Sequence, residues 1–83
     1  HMSKSPNLQD TFLSRVCRDR LTVTLFLANG YQLRGKVTGF DPFTVVLMTE
    51  GRQQLIYKHV ISTIIPERPI PLDEAFHSGT DGG

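Results

Sequence analysis

Leu21-Thr22-Val23-Thr24-Leu25-Phe26-Leu27-Ala28, then Asn29-Gly30, then Tyr31-Gln32-Leu33-Arg34-Gly35: residues 21–35 decide which fold the chain adopts. Leu21, Val23, Leu25 and Leu27 alternate with Thr22, Thr24, Phe26 and Ala28. A period of two sends successive side chains to opposite faces of a pleated strand, one buried and one wet. Asn29-Gly30 between two such runs is a strong hairpin signal, because a type I′ turn needs positive φ at both central positions. The pair predicts a two-residue turn that sets Ala28 opposite Tyr31 and Phe26 opposite Leu33. Directly opposite residues share a face. Phe26, Tyr31 and Leu33 are then expected to form an exposed apolar patch, with Asn29 and Gly30 at its edge and Gln32 and Arg34 nearby. Such a patch suits stacking of nucleobases, but it equally fits a surface covered by tertiary packing or by a neighbouring subunit.

The pattern differs on either side of the hairpin. Upstream, Asn7 stands where a helix N-cap belongs, with Pro6 before it and Asp10 three positions on. Leu8, Phe12, Leu13 and Val16 then recur at helical spacing, with Asp10, Thr11, Ser14, Arg15 and Arg18 on the opposite arc. Downstream, the return strand runs to about Phe40 and is interrupted by Gly35 and Gly39, which mark bends or bulges. Turns at Asp41-Pro42 and at Glu50-Gly51-Arg52 delimit strands at 43–49, 53–57 and 60–65. One helix and five short, bent antiparallel strands predict a mainly β small barrel of the SH3 or OB kind. Such a fold does not by itself define a function.

The domain is expected to span residues 7–69. His1-Met2 reads as a remnant of a cleaved tag, so residues 1–6 are assigned to a flexible N-terminus. Residues 70–83, rich in Gly, Pro, Asp and Ser, are assigned to a flexible acidic tail. Through Pro69 there are nine Lys and Arg against five Asp and Glu; the tail has none against three. A mildly basic body permits an RNA partner without requiring one. At 83 residues, the chain buries only about 60% of the surface it would expose unfolded, so partner subunits are expected to complete its core. The single cysteine, Cys17, excludes an internal disulfide, and His59 and His77 lack neighbours at zinc-ligand spacing, so neither a metal nor a cofactor is expected. No apolar run approaches the ~18 residues that span a bilayer. A soluble, cytoplasmic protein is the expectation.

Several positions carry two readings each. Phe43, after the Asp41-Pro42 turn, either projects from a loop or opens the third strand as a core aromatic. Tyr57-Lys58-His59 lies between two apolar strands, where a tight turn would expose both Lys58 and His59. These either contact bases and phosphates or simply form a polar turn. Gln9 falls within the apolar arc of the helix, at a frayed end or facing a partner. Arg15, Arg18 and Arg20 either complement the helix dipole or form a phosphate-binding rim. No Gly-x-Ser-x-Gly and no Gly-rich phosphate loop is present, so an enzyme is not expected.

Four segments together resemble one family. Leu8-Gln9-Asp10 with Phe12-Leu13, Leu27-Ala28-Asn29-Gly30, Gly39-Phe40-Asp41-Pro42-Phe43, and Ile56-Tyr57-Lys58-His59-Val60-Ile61-Ser62-Thr63 are similar, in order and nearly in spacing, to Hfq, the bacterial branch of the Sm-like (LSm) RNA chaperones. The resemblance covers Leu8 to Pro69 and implies an Sm-like barrel assembled as a homohexameric ring, the strand ending near Tyr57 pairing with the last strand of the next subunit. It implies uridine-rich single-stranded RNA on the helix-bearing (proximal) face: Phe43 stacking a uracil, Gln9 and Lys58 contacting the base, His59 meeting base or backbone, Tyr57 bracing the interface. On the opposite (distal) face it implies adenine-rich or purine-containing RNA at Phe26, Asn29, Gly30, Tyr31, Leu33, Arg34, Gln53, Gln54 and Thr63. Arg15, Arg18 and Arg20 resemble a lateral rim, although Cys17 stands where the best-known members have an arginine. The implied function is pairing of small regulatory RNA with mRNA, and post-transcriptional regulation, with RNA-processing proteins as further partners. Two other functions fit the barrel alone: a protein-interaction oligomer indifferent to RNA, and a small hydrolase using His59.

Overall fold

A computed structural model describes residues 7–72; the segments 1–6 and 73–83, to which the tag remnant and most of the acidic tail were assigned, lie outside the described residues. Helix α1 spans Leu8–Arg18, and the Asn7 side chain caps it, Oδ1 accepting from the N–H groups of Gln9 at 2.9 Å and Asp10 at 3.2 Å. Leu13 and Val16 are buried beneath it, whereas Leu8, at the start of the apolar stripe, is exposed. The helix ends in a Schellman arrangement: Leu21 N–H donates to Val16 O at 3.1 Å and Arg20 N–H to Cys17 O at 3.2 Å. Arg20 takes the left-handed position, φ 52°, that glycine usually fills. Leu21 and Val16 both enter the core, which fixes the angle at which the chain passes from helix to sheet.

The strands are β1 Thr22–Leu27, β2 Gln32–Phe40, β3 Thr44–Thr49, β4 Arg52–Tyr57 and β5 Ile61–Pro66, with a single 3-10 turn at Lys58–Val60 before β5. All neighbours are antiparallel in the order β4-β3-β2-β1-β5, so β4 and β5 are the two edges of one bent sheet. The nine-residue core takes Leu21, Val23 and Leu25 from the first alternating run, Val37 from β2, Val45 and Leu47 from β3, Ile56 from β4, and Leu13 and Val16 from the helix. The bend is built at two places. The β2–β3 register shifts between Val37 and Gly39, and at Gly35 a Cβ would strike the Met48 carbonyl oxygen and Thr49 Oγ1. Glycine there lets β3 cross β2 at closer range than any side chain allows.

The hairpin register departs from expectation. Phe26 lies opposite Gln32, and Leu25 opposite Leu33. The loop holds three residues, Ala28-Asn29-Gly30: Gly30 N–H donates to Leu27 O at 2.9 Å, Leu27 N–H to Tyr31 O at 2.8 Å, and only Gly30, φ 94°, is left-handed. This is a type I turn closed by a glycine bulge rather than type I′. The mirror-image two-residue turn occurs instead at Glu50-Gly51, φ 48° and 81°, between the paired residues Thr49 and Arg52. At the chain's far end the packed region runs past Pro69: Ile70 packs against the core, and Arg15 Nη1 donates to Pro71 O at 3.4 Å. Among the described residues no helix is long and apolar enough to cross a membrane.

Candidate functional site

Three separate pieces of chain meet around one open depression lined by Gln9, Pro42, Phe43, Tyr57, Lys58 and His59. Gln9 comes from the first turn of α1, Pro42 and Phe43 from the β2–β3 connection, Tyr57 from the end of β4, and Lys58 and His59 from the 3-10 turn. Phe43 is held by the residue two before it. Asp41 Oδ1 accepts from Phe43 N–H at 2.9 Å, Thr44 N–H at 2.7 Å and Thr44 Oγ1–H at 2.7 Å. Lys58 N–H donates to Phe43 O at 2.8 Å, joining this connection to the 3-10 turn. With its backbone pinned from both sides and β3 starting only at Thr44, the Phe43 ring stays outside the core, 75% exposed. The core-aromatic reading of Phe43 is thereby excluded.

The hydroxyl of Thr44, then the N–H groups of Phe43 and Thr44, hold the Asp41 carboxyl below the ordinary aspartate value; Lys58 adds a smaller pull and desolvation opposes. Residue reading missed Asp41's part, though the signal was present: an Asp at a turn with a Thr three positions on. Lys58 is half-buried rather than exposed as the tight-turn reading had it, because its Nζ lies 5.7 Å from the Phe40 ring centroid. His59 is exposed, its ring 5.9 Å from that of Tyr57 and tilted by 33°. The depression thus offers flat aromatic faces beside an ammonium, an imidazole and a carboxamide. That set can stack on a planar heteroaromatic ring and donate to its edge or to a phosphate.

The second group divides between the two sides of the sheet. Phe26 and Thr63 pair directly and share the outward side with Arg34, whose Nη1 lies 3.4 Å from Thr24 Oγ1. Gln53, opposite Met48, is exposed, and Tyr31 at the turn is 67% exposed. Asn29 and Gly30 form the tip, where Asn29 Oδ1 accepts from Tyr31 N–H at 2.9 Å. Leu33 lies opposite buried Leu25 and packs half-buried against the core, so the expected Phe26–Leu33 pair does not form: the three-residue loop moved the register by one, and one step reverses the face. Gln54, opposite buried Leu47, is also on the core side. Of the arginines at the helix end, Arg15 Nη1 donates to Pro71 O, Arg18 Nε sits 3.5 Å from Asp19 Oδ1, and Arg20 is placed by the left-handed turn.

Comparison with known proteins points one way. The family model described as Hfq protein matches residues 8–71. An RNA-binding protein Hfq of Desulfitobacterium hafniense (strain DSM 10664 / DCB-2) is 56% identical over 81 residues, covering 96% of this chain and 98% of the relative. That of Carboxydothermus hydrogenoformans is 60% identical over 70 residues, 83% of this chain and 82% of the relative. Among solved structures, a 1.55 Å crystal structure of the pleiotropic translational regulator Hfq superposes with a TM-score of 0.70 at 41% identity, covering 71% of this chain and 98% of that one. An Hfq protein from Anabaena gives 0.66 at 25% identity, covering 71% and 95%. Helix, strand order and the converging 9, 43 and 57–59 segments all fall inside the matched region, and the chain belongs to the Hfq family.

Proposed function

We propose that the chain is a non-catalytic, cytoplasmic RNA chaperone that closes into a homohexameric ring and binds single-stranded RNA on two faces. On the helix-bearing face, Phe43 stacks a uracil, Gln9, Lys58 and His59 engage its edge or backbone, and Tyr57 braces the neighbouring subunit. On the opposite face, adenine-rich or purine-containing strands bind over Phe26, Asn29, Gly30, Tyr31, Arg34, Gln53 and Thr63, with Leu33 and Gln54 contributing from the sheet's inner side. Arg15, Arg18 and Arg20 supply a rim. Holding a small regulatory RNA and an mRNA on one ring raises their effective mutual concentration, so that they pair. RNA-processing proteins are further partners.

The observation that carries this reading is the Phe43 depression, where an aromatic ring three-quarters exposed is fixed beside Lys58, His59 and Gln9. Base stacking on such a ring contributes about 1–3 kcal/mol per base. The relatives named above are RNA-binding proteins, which agrees with this reading. Fluorescence anisotropy with uridine-rich and adenine-rich oligomers tests it. Phe43→Ala should weaken the uridine-rich oligomer at least fivefold and leave the adenine-rich one nearly unchanged; Tyr31→Ala should do the reverse. Equal losses for both oligomers in both variants would overturn the two-face assignment.

A further inference from the structure

The outward side of β2 carries Gln32, Arg34 and Lys36, all exposed, and the strand contains no acidic residue. Register sets Gln32 against Phe26, Arg34 against Thr24, and Lys36 against Thr22 on one side and Met48 on the other. Along the outward side of β2, Gln32, which lies opposite Phe26 of β1, is followed by two cations on the same face. Side chains two apart on a strand stand about 7 Å from each other, a step comparable with one nucleotide of an extended single strand. Arg34 is oriented from both ends. Its carbonyl accepts from Thr49 Oγ1 at 2.9 Å, and its Nη1 lies 3.4 Å from Thr24 Oγ1. A guanidinium has five N–H groups in a fork that matches phosphate.

We infer that Arg34 and Lys36 form a phosphate lane beside the Phe26 base position, so that a strand stacked on Phe26 is led across β2 with its backbone over the two cations. The inference rests on the outward sheet face being an RNA face, and it adds Lys36 as a backbone-contacting residue outside the base-reading set. Two carboxylates lie near. Glu67 Oε2 accepts from Thr22 N–H at 3.3 Å, which directs it at β1, and Glu50 shares the depression beside Lys36, setting the lane's outer limit. A phosphate contact positions RNA without reading its sequence. It therefore predicts losses that depend on salt and not on base order.

The test is anisotropy of the full chain with adenine-rich oligomers of two different base orders, and with a uridine-rich oligomer, across a salt series. Lys36→Gln should weaken both adenine-rich oligomers about equally, several-fold at low salt, and flatten the plot of log K against log salt by about 0.7 for each subunit the oligomer engages. Lys36→Arg should restore affinity and slope, and uridine-rich binding should stay unchanged. Phe26→Ala reports on the underlying reading: no loss of adenine-rich binding there overturns the RNA face itself. Loss in Phe26→Ala, with affinity and slope intact in Lys36→Gln, overturns the phosphate lane alone, as does a Lys36→Gln loss confined to one base order.

Discussion

Asp41 shows how one side chain sets the reach of another. Three donors converge on its Oδ1, and the residue they immobilise is Phe43. A carboxyl held below its unfolded value, about 3.9 for aspartate, binds its proton less readily in the folded chain. Its contribution to the turn is therefore complete above that value and is lost as pH falls through the lower, folded one. Uracil has no group titrating in that range. Affinity for a uridine-rich oligomer should accordingly show an acid limb below about pH 4. Asp41→Asn, which keeps an acceptor but cannot titrate, should flatten that decline; an identical acid limb in the variant would mean Asp41 does not govern it. Capping at Asn7 and the turn at Asp41 were legible because both depend on neighbours within three residues. The meeting of Gln9, Phe43 and Lys58 was not, since nothing local relates positions so far apart; the family resemblance supplied it.

Among the elements, β2 does the most to shape the molecule, and Gly35 is the point where its shape depends on a missing side chain. Gly35→Ala would place a methyl group against the Met48 carbonyl and Thr49 Oγ1, and backbone cannot rotate away as a flexible side chain would. We expect a loss of about 1–3 kcal/mol, the range for overpacking, read as a lowered thermal midpoint at fixed protein concentration; an unchanged midpoint would show that β3 can retreat at no cost. The strands themselves were readable from alternation, and each observed boundary lies within one residue of its expected place. The hairpin register was not readable. Asn-Gly serves a type I′ turn and a type I turn with a glycine bulge alike, and the two differ in the φ of the asparagine. The mirror-image turn fell at Glu50-Gly51, where a turn was expected but not its type, because glutamate seldom takes positive φ.

At the scale of the whole molecule the sheet has two edges that no other strand pairs among the described residues, with apolar residues beside each. Leu55 on β4 is 57% exposed and Ile65 on β5 is 48% exposed, while every described buried side chain belongs to one small core. A domain of this size gains stability by burying such edges against copies of itself. Sedimentation velocity at micromolar concentration should find six chains of 9.3 kDa together, and Leu55→Asp should shift the distribution to smaller species with a lower thermal midpoint. A stable wild-type monomer would remove the basis for a shared RNA track. In the proposed ring β4 of one copy would meet β5 of the next, and a contact between two different edges is heterologous. Head-to-tail geometry of that sort closes only if each step rotates by the same fraction of a full circle. A change in sheet curvature, such as one that alters the crossing at Gly35, would alter the step angle and turn a closed assembly into an open helical filament.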